Sequence, residues 1–124
     1  DWFIRQKILT NMNMFYVYQI PVPRLTATDS RFTPIVHRAA RLICTTPEFD
    51  DLAKAVCLSG SSDGATDPSE RQRLGAELDG LIAHLYGLTE TEFAHILGTF
   101  ALVAEPVKTA ALTAWRDVAA GKIS

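Results

Sequence analysis

Between residues 34 and 46 the apolar positions recur at helical spacing. Ile35, Val36, Ala39, Leu42 and Ile43 fall on one stripe. Thr33 is placed to cap this helix, with Pro34 at its first position, where a missing N–H costs nothing. Pro47 disfavours continuation. Phe49, Leu52, Ala53 and Val56 then mark a second, short helix. Asp67, Pro68 and Glu70 form the capping pattern of a long helix whose apolar face is Leu74, Leu78, Leu81, Ile82 and Leu85. Its other side carries Ala76, Gly80 and Ala83, small enough for a second backbone to approach, so this helix is expected at the centre of a bundle. Gly87 suits the left-handed position that ends it. Thr89 and Glu92 form a capping box for the next helix, Leu88 and Phe93 its hydrophobic staple, and Gly98 its stop. The spacing predicts a last helix from about Pro106 to Ala120, with Val107, Ala111, Ala114, Trp115 and Val118 facing inward and Gly121 ending it.

The start of the chain reads differently. Residues 2–9 look like the end of a helix, and Asn11, Met12 and Asn13 make a polar break. Met14 to Ile20 is rich in aromatic and β-branched residues and reads as a strand, stopped by Pro21 and Pro23. A single strand needs a partner, and the chain offers none. The partner is therefore expected upstream of Asp1, where the apolar cluster Trp2-Phe3-Ile4 reads as a cut through a longer protein. The expected fold class is mainly α: about five helices in a small bundle, with one short strand near the N-terminus. Three regions follow: 1–58, a helix end, a strand and two helices; 59–66, a Ser- and Gly-rich loop flexible by composition; and 67–124, a C-terminal helical element.

Composition narrows the function classes. A chain of 124 residues supports one core, and 48% hydrophobic with 21% charged residues is a globular mixture. No apolar run approaches the roughly 18–20 residues that cross a bilayer, and no signal-peptide layout opens the chain. No membrane partner is expected, and the expected location is cytoplasmic. Cys44 and Cys57 match neither zinc spacing nor a CxxC pair, and read as small buried hydrophobes in a reducing compartment. His37 and Cys44 would stand about 10 Å apart along one helix, too far for a catalytic dyad. His84 and His95 lie on different helices with no third ligand at metal spacing, so no metal site is expected. Glu90 and Glu92 suit the positive end of a helix dipole, while Glu77 and Asp79 read as helix-surface charges. No nucleophile elbow, phosphate loop or dinucleotide fingerprint occurs. No catalytic residue is expected.

Charge is unevenly placed. Residues 1–46 sum to +4 and residues 47–124 to −6. Arg38 and Arg41 fall opposite the apolar stripe of their helix, and Arg31 sits just before it. A row of guanidiniums on a free helix face is suited to phosphates, so Arg31, Arg38 and Arg41 are the first candidates for phosphate contacts, with Arg5, Lys7 and Arg24 second. The competing reading is a solvated face, or salt bridges to the acidic half. Phe15, Tyr16, Val17 and Tyr18 have the same ambiguity: base stacking, or packing against other protein.

Two stretches carry a family resemblance. Asp1-Trp2-Phe3-Ile4-Arg5-Gln6-Lys7, then Asn13 through Phe15-Tyr16-Val17-Tyr18-Gln19-Ile20-Pro21-Val22-Pro23, resembles a region late in large fused N6-adenine-specific DNA methyltransferases of the type II and IIG-like restriction–modification group. The segment Glu77-Leu78-Asp79-Gly80-Leu81-Ile82-Ala83-His84-Leu85-Tyr86-Gly87-Leu88-Thr89-Glu90, with Ile96-Leu97 and Thr99-Phe100, resembles the helical element near the C-terminus of the same proteins. The resemblance implies a parent that methylates adenine in double-stranded DNA using S-adenosylmethionine, with or without nuclease activity. The family's Asn-Pro-Pro-Tyr motif and Gly-rich cofactor loop are absent here, so no cofactor is expected within this chain. It would be a non-catalytic C-terminal piece that contributes to DNA binding or supports the recognition region, next to upstream methyltransferase and recognition domains. The alternative is a helical protein–protein or inter-domain module with no DNA contact.

Overall fold

The computed structural model describes residues 14–124. It is mainly helical, a small bundle of α1 (Phe32–Ile43), α2 (Asp50–Ala55), α3 (Pro68–Leu85), α4 (Glu90–Gly98) and α5 (Glu105–Ala119). Among the described residues there is no strand. Met14–Val17 instead forms a single helical turn. The reason is local: with no strand alongside, the backbone bonds to itself, Tyr18 N–H to the Met14 carbonyl at 2.9 Å and Ile20 N–H to Val17 at 3.2 Å. An irregular arm follows, and the Tyr86 hydroxyl at the end of α3 donates to the Pro21 carbonyl at 2.8 Å. The helix end expected over residues 2–9 lies outside the described residues.

α3 is central, as its small-residue side predicts. Its most extensive contact is with α5 and its second with α1. At Gly80 the backbones meet: a Cβ there would sit 2.8 Å from the Trp115 nitrogen and 2.9 Å from the Ala114 carbonyl carbon. Ala83, Phe93 and Ala111 form the buried cluster of this half, covered by Leu88, Leu97, Leu112 and Trp115. A second cluster, Ala40, Cys44, Ala53 and Leu58, joins α1 to α2. The α1 stripe is thus displaced from the expected one. Ala40 and Cys44 are its buried members, and Ile43 is 52% exposed. Val107 is likewise on the surface rather than inward.

Helix ends follow local chemistry. Asp67 accepts from the Glu70 N–H at 2.9 Å, and Thr89 with Glu92 makes a reciprocal capping box. Hydrogen bonds from Thr89 hold the Glu92 carboxyl below its ordinary range. Thr33 does not cap α1. That helix starts earlier, at Phe32, and Asp29 takes the nucleating role by accepting the Arg31 N–H at 2.9 Å. Gly87 and Gly121 both adopt positive φ in paired closing bonds: Leu88 N–H to Ala83 and Gly87 to His84, then Lys122 to Asp117 and Gly121 to Val118. The same motif ends α2, with Leu58 N–H bonding to Ala53 and Cys57 to Lys54, but its left-handed residue is Cys57 at φ 64°. A side chain there costs roughly 1–2 kcal/mol. Glycine regains part of that and gives back some chain entropy. Cys57→Gly is expected to raise stability by about 0.5–1 kcal/mol in urea unfolding; a loss of stability would show that the exposed Cys57 side chain contributes packing.

Candidate functional site: the arginine seam between α1 and α3

The first-choice arginines of α1 do not stand on a free face. Arg38 donates from Nε to Glu77 Oε2 at 2.7 Å and from Nη1 to the Pro34 carbonyl at 3.0 Å. Arg41 donates to Glu70 Oε1 at 2.6 Å and to the Asp63 carbonyl at 3.1 Å. Both acids belong to α3. The side chains of Arg38 and Glu77 are only 18% and 12% exposed, so this pair is largely withdrawn from solvent. Glu77 also receives Arg73 at 2.5 Å, one turn away on its own helix. Burial alone would push the Glu77 carboxyl up, but its hydrogen bonds from Arg38 and Arg73 outweigh that and hold it below its ordinary range. A carboxylate depressed in this way stabilises the fold above its unfolded-state range and loses that contribution as the pH falls through its folded value.

Arg71, which the helical wheel did not single out, completes the seam. Its Nη1 donates to the Leu42 carbonyl at 3.0 Å and to the Ala65 carbonyl at 2.7 Å. The Leu42 contact completes the hydrogen bonding at the C-terminus of α1. The Ala40 carbonyl accepts from Cys44 N–H, Arg41 from Ala65, Leu42 from Arg71 and Ile43 from Thr45. All four terminal carbonyls that a helix leaves open are therefore paired, with a guanidinium at the negative end of the dipole.

The segment expected as a flexible loop is part of the same construction. It holds a short 3-10 turn, Ser61–Asp63. The Asp50 carboxylate accepts the Ser61 N–H at 2.7 Å and the Asp63 carboxylate the Ser59 N–H at 2.7 Å, and these backbone bonds lower both carboxyls. Ala65 is fully buried and donates its N–H to Arg41 at 2.7 Å. At Gly64 the missing side chain has a packing reason, since its backbone lies against that of Cys44 and Thr45, where no Cβ fits.

The other candidates are dispersed. Arg31 is exposed and grips Asp29 through two bonds, at 3.0 and 2.7 Å. The Arg31 guanidinium lowers the Asp29 carboxyl to about 2. Arg24 lies on the exposed arm and makes no ion pair with another described residue. Arg5 and Lys7 lie outside the described residues. His84 stacks on Trp115, with centroids 4.5 Å apart, and its Nε2 bonds to the Trp115 carbonyl at 2.9 Å, so packing accounts for it. Among the described residues no group of three His, Cys, Asp or Glu is placed to hold a metal, and no helix is long and apolar enough to cross a membrane. Cys44 is buried and Cys57 exposed, both as free thiols.

No known protein family, curated protein or solved structure matches the chain.

Proposed function

We propose that this chain is a non-catalytic helical support module of a larger DNA-modifying protein, working by packing against neighbouring domains while its α1 arginines hold the module itself together. The observation that carries this reading is the pairing of Arg38 with Glu77 and of Arg41 with Glu70 across α1 and α3. A guanidinium already held by a carboxylate and a main-chain carbonyl has its charge balanced and fewer N–H donors left, so it offers a phosphate less than a free one would. Any S-adenosylmethionine chemistry would belong to upstream domains of an adenine-methylating parent, in line with the resemblance, and double-stranded DNA would be met through that parent. A second reading, direct DNA contact, is favoured among the described residues at Arg24, which is exposed and makes no ion pair with another described residue, whereas the exposed Arg31 is already held by Asp29.

The test is anisotropy titration of a duplex of about 20 base pairs across a salt series. The chain is compared with its Arg38→Gln plus Arg41→Gln variant, with helicity checked by circular dichroism. Affinity and salt slope are expected to be the same for both. A slope reduced by about two in the variant would place both arginines on phosphates and overturn the support reading.

A further inference from the structure

We propose that the groove between the second half of α3, α4 and the start of α5 is a docking site for a cationic amphipathic helix, one that carries Lys or Arg beside its apolar anchors. This deepens the support reading and rests on it, by naming the chemistry of the partner segment. The groove encloses about 390 Å³ and is walled by Ile82, Leu97, Val103 and Val107 over a floor that includes Phe93 and Ala111. Val103 and Val107 are exposed, as is Tyr86 at one end, and Leu102 beside Val103 is fully exposed. Apolar surface of this kind, continuous with a groove between helices, fits the anchors of an amphipathic helix spaced three, four and seven residues apart.

Charge selects the partner. Two charged residues line the groove, Asp79 and Lys108. Lys108 is already engaged by Glu105 at 2.8 Å. Asp79 stands exposed at the rim of the groove and makes no side-chain hydrogen bond or ion pair with another described residue, and desolvation by the protein around it raises its carboxyl above the ordinary range. The unanswered charge in the groove is therefore negative, within a half of the chain whose net charge is −6. A cation arriving beside Asp79 gains an attraction strengthened by the apolar surroundings, whereas an anion is repelled.

The experiment uses the full chain and two labelled peptides of about 15 residues, long enough to form a helix. One is composed of leucine and lysine at helical spacing, the other of leucine and glutamate, and both are titrated at about 0.15 M salt. The lysine peptide is expected to bind at least about tenfold more tightly and to shift the methyl resonances of Ile82, Val103 and Val107. Asp79→Asn, which keeps size and shape, is expected to weaken it about fivefold or more, and Glu48→Gln, remote from the groove, to leave it unchanged. Equal binding of the two peptides, no binding of either, or an affinity indifferent to Asp79→Asn would overturn the proposal. None of these outcomes touches the DNA titration, which decides the support reading by itself.

Discussion

Gly80→Ala is expected to lower the unfolding free energy by about 1–3 kcal/mol, while Gly75→Ala, in the same helix, raises it by about 0.5–1 kcal/mol. Alanine improves helix propensity equally at both positions, so the difference between them isolates packing. Nothing lies within 4 Å of a Cβ built on Gly75. At Gly80 the new methyl meets main-chain atoms of α5, the Trp115 nitrogen and the Ala114 carbonyl, which no rotamer change can move. The two helices must separate along their largest contact, and Ala83, Ala111 and Ala114, which are buried there, are too small to refill the gap. Paired urea titrations decide the matter; shifts of the same sign in both variants would mean that α3 and α5 do not approach at Gly80.

Gly64→Ala carries the other large effect, a loss of about 3 kcal/mol or more. Its backbone angles, φ −64° and ψ 140°, suit any residue, so the cost is purely steric. A Cβ at Gly64 falls inside van der Waals contact of the Cys44 carbonyl oxygen and 2.9 Å from the Thr45 Cα. Relief would pull the segment off the end of α1 and break the Ala65–Arg41 hydrogen bond with it. Gly60→Ala is the control in the same segment. Its nearest neighbour is the Asp50 carboxylate oxygen at 3.2 Å, which has to give by only a few tenths of an ångström and so lengthens rather than breaks its bond to the Ser61 N–H, and the expected loss is about 1 kcal/mol. Thermal melts that fail to separate the two variants would show that residues 59–66 are not seated on α1.

These two glycines also show what a sequence discloses and what it withholds. Gly80 was legible because small residues at helical spacing leave a recognisable face. The capping box at Thr89 and the left-handed ends at Gly87 and Gly121 were legible because their causes lie within a few residues. The seating of Gly64 is not legible in the sequence because its reason is a backbone twenty residues away, and glycine and serine in sequence look alike whether a segment is loose or pressed flat. Arg38 and Arg41 raise the same difficulty. A helical wheel places them opposite the apolar stripe, but it does not say that a second helix bearing Glu70 and Glu77 covers that side. Arg71 carried no signal at all, since its partners are the main-chain carbonyls of Leu42 and Ala65. Met14–Ile20 has the side chains of a strand, and strand formation needs a neighbour that sequence propensity does not supply.

Arg38 and Arg41 pair with acids of α3 and so serve the fold. A double-mutant cycle on Arg38 and Glu77 measures that service, using Arg38→Ala, Glu77→Ala and the combination, with unfolding free energies measured in urea at neutral pH. A half-buried charged hydrogen bond at 2.7 Å predicts a coupling of about 1–2 kcal/mol between the two positions. A coupling indistinguishable from zero, with Arg38→Ala alone leaving stability unchanged, would contradict it and return Arg38 to the surface as a free cation.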